Sequence, residues 1–205
     1  AKKVAVIGDT TGYGVAALNA SVAALKKDGA EVVYQANIDA TQPDMTPDML
    51  RAKNAGAEAI VVWSTSTGMD ARLFNTRANM GWDVAFAGHP TMSSGEIKAL
   101  IDKPANWEKV YAVGYRSCSY DANGKLPPHS EEFVSKLKGK TELKDTLLWW
   151  VARGYDAVTL VAKAFQEGAA SHEDIIKYWN SVKNYPGYFG EYTFTPTEHN
   201  GYPGK

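Results

Sequence analysis

The chain has 205 residues, of which 44% are hydrophobic and 22% charged, and its formal net charge is −1. This composition predicts a globular chain long enough to bury a core, and the near-neutral charge gives no electrostatic case for binding nucleic acid or an anionic membrane. No apolar run approaches the roughly 20 residues of a membrane-spanning helix. No signal peptide precedes Val4, so we expect a mature or trimmed form if the protein is exported.

The first predicted unit is a strand, a glycine-rich turn and a helix. Val4–Ile7 predicts the strand, Gly8–Gly14 the turn, and Val15–Lys27 a helix that ends at a glycine. The turn has the spacing G-x-x-x-G-x-G without a lysine, which matches neither a dinucleotide fingerprint nor a phosphate loop. Its backbone N–H groups can still face an anion, and Tyr13 at the helix entrance favours a small organic ligand.

Strands and helices then alternate as far as Val113. The predicted strands are Glu31–Tyr34, Ala59–Trp63, Val84–Ala87 and Val110–Val113, and the predicted helices are 46–56, Met69–Met80 and Glu96–Ile101. This alternation predicts an α/β fold with a parallel sheet and right-handed crossovers. Ligands of such sheets bind outside the carboxyl ends of the strands.

The pattern changes after Tyr115. A loop at 119–128 precedes predicted helices at Ser130–Leu137, Thr146–Gln166 and His172–Val182, a strand at Tyr192–Thr195, and turns from Pro196 to Lys205. These helices either cover the same sheet or belong to a second lobe. One stripe of the middle helix is too apolar to face water; it comprises Leu148, Val151, Tyr155, Val158, Val161 and Ala162.

Four segments in order carry a family resemblance: VAVIGDTTGYGVAAL, AIVVWSTSTGMDARLF, AFAGHPT and ARGYDAVTLVAKAF. Together they resemble the branched-chain amino-acid binding proteins, which are type I solute-binding proteins of ABC transporters. The resemblance implies a three-layer α/β/α lobe with a parallel sheet, plus helices of a second, incomplete lobe. It also implies a ligand held in the cleft between two lobes.

The resemblance further implies how the chain is organised. Residues 1–117 would form the C-terminal lobe, 118–128 a hinge crossover, 129–187 helices of the N-terminal lobe, and 188–205 a return segment. The missing N-terminal lobe, or a second chain, would complete the fold. The implied partners are a small-molecule ligand and an ABC transporter permease, the implied location is periplasmic, and no cofactor, metal or nucleic acid is implied.

The family's ligand-binding positions fall on turns and on one helix of this chain. The principal candidates are Tyr13, Thr65, Ser66, His89 and Trp150. The secondary candidates are Thr11, Ser64, Thr67, Pro90, Thr91 and Arg116. In the amino-acid binders, a glutamate that accepts the ligand's ammonium aligns with Pro90, which offers no side-chain acceptor.

That departure predicts the chemistry of the ligand. A buried ammonium without an acceptor costs several kcal/mol, and a protonated His89 would repel it. A carboxylic acid without an α-amine fits the hydroxyl and imidazole donors better, and Trp150 can cover an aromatic body. Binding of branched-chain or other amino acids remains the alternative within the family.

Several candidates also have a purely structural interpretation. Tyr13 can be a surface residue, Thr65 and Ser66 can cap the following helix, and His89 can brace its turn. Trp149 and Trp150, as helical neighbours, should point in different directions, with Trp149 in the core. We also expect Arg116 to face solvent, Asp156 to make a structural hydrogen bond, and Cys118 to be buried and inert. A single cysteine also excludes an internal disulfide.

The sequence contains few of the motifs that indicate catalysis. The histidines at 89, 129, 172 and 199 lack metal-ligand spacing, there is no G-x-S-x-G motif, and Asp9 is not followed by a second aspartate at D-x-D spacing. An α/β hydrolase or transferase, and the sensory domain of a transcription regulator, are the alternatives from other classes. We therefore predict a non-enzymatic binding protein that closes two lobes over its ligand.

Overall fold

The computed structural model describes residues 1–201. Its contacts divide the chain into two compact units, Ala1–Val113 and a second that begins at Gly114. Among the described residues, no helix combines the length and apolarity that crossing a membrane requires.

The first unit is built on a five-stranded parallel sheet with the strand order β2-β1-β3-β4-β5. The strands are β1 (Lys3–Asp9), β2 (Glu31–Ile38), β3 (Ala59–Trp63), β4 (Ala85–Gly88) and β5 (Val110–Ala112). The helices are α1 (Gly12–Lys27), α2 (Thr46–Asn54) and α3 (Thr67–Asn79), with 3₁₀ turns at Pro90–Ser93, Gly95–Ala99 and Pro104–Trp107. The sequence-based prediction of an α/β fold with a parallel sheet is confirmed.

The alternation of side chains along β1 places a helical layer on each face of the sheet. Val4 and Val6 pack against Leu18 of α1, whereas Ala5 and Ile7 belong to the cluster that contains Met49 of α2 and Leu73 and Phe74 of α3. Because successive strand residues point to opposite faces, the unit has three layers, α/β/α.

Three element predictions need correction. The helix expected at Glu96–Ile101 is a 3₁₀ turn at Gly95–Ala99, whose only buried residue, Ile97, gives little reason for a longer helix. Strand β2 extends four residues beyond the expected Tyr34 to Ile38. The strand expected at Tyr192–Thr195 is shorter and begins one residue earlier: Glu191–Tyr192 pairs with Tyr185–Pro186.

The second unit is mostly helical. It contains α4 (Pro128–Leu137), α5 (Leu148–Gln166) and α6 (His172–Ser181), a 3₁₀ turn at Arg116–Cys118, and the antiparallel pair β6 (Tyr185–Pro186) and β7 (Glu191–Tyr192). One face of α5 is buried, at Trp149, Ala152, Asp156, Leu160 and Ala164, with the spacing of a single helical face. Residues 202–205 of the predicted return segment lie outside the described residues.

Asp156 fastens the β6–β7 loop to α5. Its carboxylate accepts hydrogen bonds from the backbone N–H groups of Tyr188 (2.9 Å) and Phe189 (2.7 Å) and from the hydroxyl of Tyr192 (3.0 Å). The expectation of a structural role for Asp156 is confirmed. Cys118, also expected to be buried, lies in the cluster with Phe133 and Trp149.

Candidate functional site

The carboxyl ends of β1, β3 and β4 lie side by side because these strands are neighbours in the sheet. We call the turns that follow them the carboxyl edge, comprising residues 9–14, 64–67 and 88–91. Nine of the predicted ligand residues lie on this edge: Thr11, Tyr13, Ser64, Thr65, Ser66, Thr67, His89, Pro90 and Thr91. The other two, Arg116 and Trp150, lie in the second unit.

Asp9 joins the first two turns of the carboxyl edge. One carboxylate oxygen accepts hydrogen bonds from the backbone N–H (3.0 Å) and the hydroxyl of Thr11, and the other accepts from the backbone N–H of Thr65 (3.2 Å). A Cβ on Gly14 would lie 2.2 Å from the Asp9 carboxylate, which explains why the turn requires glycine there. From the sequence Asp9 was considered only as a nucleophile, and its role in connecting the two turns was missed.

The hydroxyls of Thr11 and Ser66 are helix caps. Thr11 Oγ1 accepts from Gly14 N (3.1 Å) at the start of α1, and Ser66 Oγ accepts from Met69 N (3.2 Å) at the start of α3. The capping role considered for Ser66 is therefore observed. The hydroxyl of Ser66 still has its own hydrogen to donate, whereas that of Thr11 already donates to Asp9.

The remaining residues of the β3 turn differ in exposure. Ser64 is fully buried and its hydroxyl accepts from Ser66 N (3.0 Å). Thr65 is exposed. Thr67 is half-buried, and its hydroxyl lies 3.4 Å from a carboxylate oxygen of Glu96. Thr65 is thus the residue of this turn most available to a ligand.

Tyr13 and His89 come together across the edge. Their ring centroids lie 5.2 Å apart in an edge-to-face arrangement, and Tyr13 makes a similar contact with Trp63 at 6.5 Å. Tyr13 is 44% exposed, whereas His89 is buried. Tyr13 is therefore not an isolated surface tyrosine, because it packs on two aromatic rings of the edge.

The hydrogen bonds of His89 define which ring nitrogen carries the proton. Nδ1 accepts from the backbone N–H of Thr91 (3.2 Å), so in the neutral ring the hydrogen is on Nε2. Burial lowers the pKa of His89, with the nearby charge of Asp9 acting in the opposite direction. His89 is consequently a neutral N–H donor at pH 7.

The rings of the two tryptophans of α5 lie against each other, which was not expected of helical neighbours. Their rings stack with centroids 4.4 Å apart and an interplanar angle of 22°. Trp149 is buried and Trp150 is 48% exposed, as expected for one core ring and one accessible ring. Arg116 is exposed at the start of its 3₁₀ turn.

One buried group behind the edge, Asp70, was not found from the sequence, whereas its partner Thr91 was a secondary candidate. Asp70, in the first turn of α3, and Thr91 hydrogen-bond to each other at 2.8 Å. Asp70 gave no signal beyond an acidic residue near a helix start, which is common there. Within residues 1–201, no three His, Cys, Asp or Glu side chains are grouped so that they could hold a metal ion.

Comparison with known proteins supports the architecture. The family model described as periplasmic binding protein matches residues 1–202, and no curated protein matches the chain. Similar solved structures include a periplasmic binding protein type 1 from Bordetella pertussis Tohama I, with a TM-score of 0.81 and 22% identity over 95% of this chain and 54% of that one.

Two further similar structures are of proteins named for a ligand or solved in complex with one. A leucine binding protein from Thermotoga maritima MSB8 has a TM-score of 0.78 and 18% identity, covering 95% of this chain and 53% of its own. A solute binding protein of an ABC transporter from Rhodopseudomonas palustris HaA2, in complex with p-hydroxybenzoic acid, has a TM-score of 0.74 and 21% identity, covering 96% and 53%. The chain thus spans about half the length of these structures, and at such identities the likeness shows the fold. By the family model and by this fold, the chain belongs to the periplasmic binding protein family and has the architecture of its type I members.

Proposed function

We propose that the chain is part of the substrate-binding component of an ABC importer, and that its carboxyl edge forms one wall of the ligand cleft. In this proposal residues 1–117 are the C-terminal lobe, 118–128 a hinge crossover, 129–187 helices of the N-terminal lobe and 188–205 a return segment. The ligand is a small carboxylic acid without an α-amine, a class that includes aromatic acids. The protein acts in the periplasm by lobe closure and is not an enzyme.

One observation carries the ligand assignment: the aspartate of the carboxyl edge, Asp9, and the aspartate behind it, Asp70, are both enclosed. Asp9 is 1% exposed and accepts three hydrogen bonds from the chain, and Asp70 is fully buried. Pro90, which stands where the amino-acid binders have their glutamate, is also buried and has no side-chain acceptor. In this proposal the donors are the hydroxyl of the exposed Thr65 and the Nε2–H of the buried His89, and donors suit the oxygens of a carboxylate.

Glu96 supports a second candidate, an amino-acid ligand. Its side chain is exposed and lies against Thr67 at the rim of the edge. A carboxylate there could accept an ammonium group in place of the missing glutamate. This alternative keeps the transport function and changes only the ligand class.

Matched ligand pairs separate the two candidates. The experiment uses the complete protein, which is this chain together with the polypeptide that supplies the other half of the cleft. It is titrated calorimetrically with two pairs of ligands: 3-phenylpropionate and phenylalanine, and 4-methylpentanoate and leucine. Each pair differs only in the ammonium group. We expect the deaminated acids to bind more than a hundredfold more tightly, since an unpaired ammonium costs about 3 kcal/mol. Tighter binding of the amino acids, lost in Glu96→Gln, would establish the second candidate instead.

His89 offers a pair of variants that tests the site itself. In His89→Gln the amide nitrogen can replace the Nε2–H donor, whereas in His89→Asn only the position of the Nδ1 acceptor is retained. We expect the glutamine variant to retain more affinity for 3-phenylpropionate than the asparagine variant. Equal affinities in both variants and the wild type would remove His89 from the site.

The other half of the protein is the proposed cover for α5. Val158, Phe165 and Tyr155 on this helix are 71%, 56% and 42% exposed, and such a stripe is unfavourable in water. Since the matched structures are about twice as long as this chain, we assign the covering surface to the half that it lacks. Light scattering on the 205-residue chain alone should show self-association, which Val158→Lys should reduce; a compact wild-type monomer would contradict this assignment.

A further inference from the structure

A buried hydroxyl of the carboxyl edge, that of Thr91, is surrounded by more hydrogen-bond acceptors than it can donate to. Thr91 Oγ1 lies 2.8 Å from Asp70 Oδ2, 2.9 Å from the backbone oxygen of Ser64 and 3.0 Å from His89 Nδ1. Thr91, Asp70, Ser64 and His89 are all buried. A hydroxyl carries one hydrogen, so it can donate to only one of these three atoms.

The positions of the hydrogens decide which neighbour must be a donor. The Ser64 carbonyl can only accept, and His89 Nδ1 already accepts from the backbone N–H of Thr91. Asp70 is the neighbour that can supply a hydrogen without breaking another bond, provided that its carboxyl group is protonated. It then donates to Thr91 Oγ1, and the Thr91 hydroxyl is free to donate to Ser64 O.

The surroundings of Asp70 favour the neutral acid as well. Its second oxygen, Oδ1, is buried without a hydrogen-bond partner, which is far less costly for an acid than for a carboxylate. Burial raises the pKa of Asp70 to about 7, with the hydrogen bond from Thr91 opposing this and the charge of Asp9 adding to it. The ion pairs within residues 1–201 do not include Asp70.

The charged and titratable groups on the neighbouring elements are few. Asp9 lies at the end of β1 and His89 in the turn after β4. Glu96, from the 3₁₀ turn that follows, reaches only Thr67. Arg72, which lies two residues after Asp70 in α3, donates to the backbone oxygen of Ala40. Asp9 is therefore the nearby charge that acts on Asp70, and it disfavours ionisation.

We propose that Asp70 is protonated in the folded protein and acts as a positioning residue for ligand binding, by donating to Thr91 and so holding the His89 turn. Through Thr91, the neutral acid connects α3 with the ends of β3 and β4. Ionisation would take the Thr91 hydrogen away from Ser64 and would place a second negative charge behind a site for a carboxylate. The ligand part of this inference rests on the proposed function; the protonation part does not.

The stability of the ligand-free complete protein tests the protonation. Asp70→Asn is compared with wild type from pH 5 to pH 9; the amide of the variant can donate to Thr91 at every pH. An acid whose pKa is raised by folding is stabilising at low pH, and this contribution is lost as the pH rises through the folded pKa. We expect the unfolding equilibrium constant of wild type, relative to Asp70→Asn, to rise about tenfold per pH unit between pH 5 and pH 7.

Controls separate Asp70 from other titrating groups. Asp39→Asn removes an exposed carboxylate that also has a threonine, Thr41, as its hydrogen-bond partner, and it should keep the wild-type pH profile. Because folding lowers the pKa of His89, this histidine makes the protein more stable as the pH rises, which is opposite to the effect of Asp70. Both proteins contain His89, so its contribution cancels when wild type is compared with Asp70→Asn. A parallel pH profile for wild type and Asp70→Asn would overturn the proposal.

Two further measurements keep the inference testable. An infrared carboxylic-acid band at pH 6 that is absent from Asp70→Asn supports the proposal even if that variant is unstable; its absence in wild type refutes it. With 3-phenylpropionate as the probe, wild-type affinity should fall about tenfold from pH 6 to pH 8.5, the effect of losing one hydrogen bond, and affinity in Asp70→Asn should change little. If no carboxylic acid binds at any pH, the proposed function fails while the stability profile still decides the protonation of Asp70.

Discussion

The clearest stability prediction concerns Asp156→Ala in the second unit. The wild-type carboxylate is buried and satisfies three donors: two successive backbone N–H groups, of Tyr188 and Phe189, and the hydroxyl of Tyr192. The loop packs directly on it, since a Cβ on Gly187 would lie 2.5 Å from Asp156 Oδ2. Alanine removes every acceptor and leaves the donors enclosed.

The cost follows from counting those donors. A buried donor without a partner costs about 1–3 kcal/mol, and bonds to a charged group are at the upper end. Three donors then give about 5 kcal/mol after allowing for relaxation of the loop. That is a large part of the ~5–15 kcal/mol that stabilises a typical domain. Asp156→Asn keeps one acceptor oxygen, and we expect it to lose about half as much.

Urea unfolding followed by circular dichroism measures the loss, and amide exchange at Tyr188 and Phe189 reports on the loop itself. Asp121→Ala is the matched control, because Asp121 also accepts from two backbone N–H groups, at 2.8 and 2.9 Å, but is exposed. We expect the control to lose less than about 1 kcal/mol, since water can replace its acceptor. If both alanine variants are destabilised equally, the argument from buried donors is wrong.

Two shorter predictions concern other buried positions. Gly88→Ala should cost more than about 3 kcal/mol, seen as a lowered midpoint of thermal unfolding, because its Cβ would lie 1.9 Å from the backbone oxygen of Val62; Gly124→Ala, where a Cβ would meet nothing within 4 Å, separates this clash from the loss of a positive-φ glycine. Cys118 should react with iodoacetamide far more slowly in the native protein than in urea, because it is buried and burial raises its thiol pKa; equal rates would show that the thiol is accessible.

The sheet of the first unit could be predicted because each strand is short, apolar and followed by a turn. The extension of β2 was missed because Gln35 and Asn37 interrupt the apolar pattern. β2 is an edge strand, however, and polar residues are tolerated there; Asn37 donates to the backbone oxygen of Asp9 (2.9 Å). Local hydrophobicity does not reveal such a contact, since the two residues are 28 positions apart.

The extent of the strand in the second unit was predicted incorrectly for a related reason. The alternation of Tyr192–Thr195 is typical of a strand, but its backbone groups bond to different segments: Thr193 N donates to Gly201 O and Phe194 N to Val182 O. Only Glu191–Tyr192 pairs as a strand. Side-chain patterns show which residues prefer an extended conformation, but they do not show which segment will supply the hydrogen bonds.

The carboxyl edge illustrates the same limit at the site. Its turns follow from the rule that ligands bind at the carboxyl ends of parallel strands, and its candidate residues follow from the family resemblance. The roles of Asp9, on the edge, and Asp70, behind it, could not be predicted, because their partners are far away in sequence: Asp9 and Thr65 are 56 positions apart, and Asp70 and Thr91 are 21 apart. Asp9 is supplied with three donors, whereas Asp70 has one contact and one oxygen with no partner. One acid is therefore stabilised by donors and the other, in our proposal, by a proton. In neither case does an accessible carboxylate face the edge, and in our proposal this is the physical reason to expect an anion rather than an ammonium group against this wall.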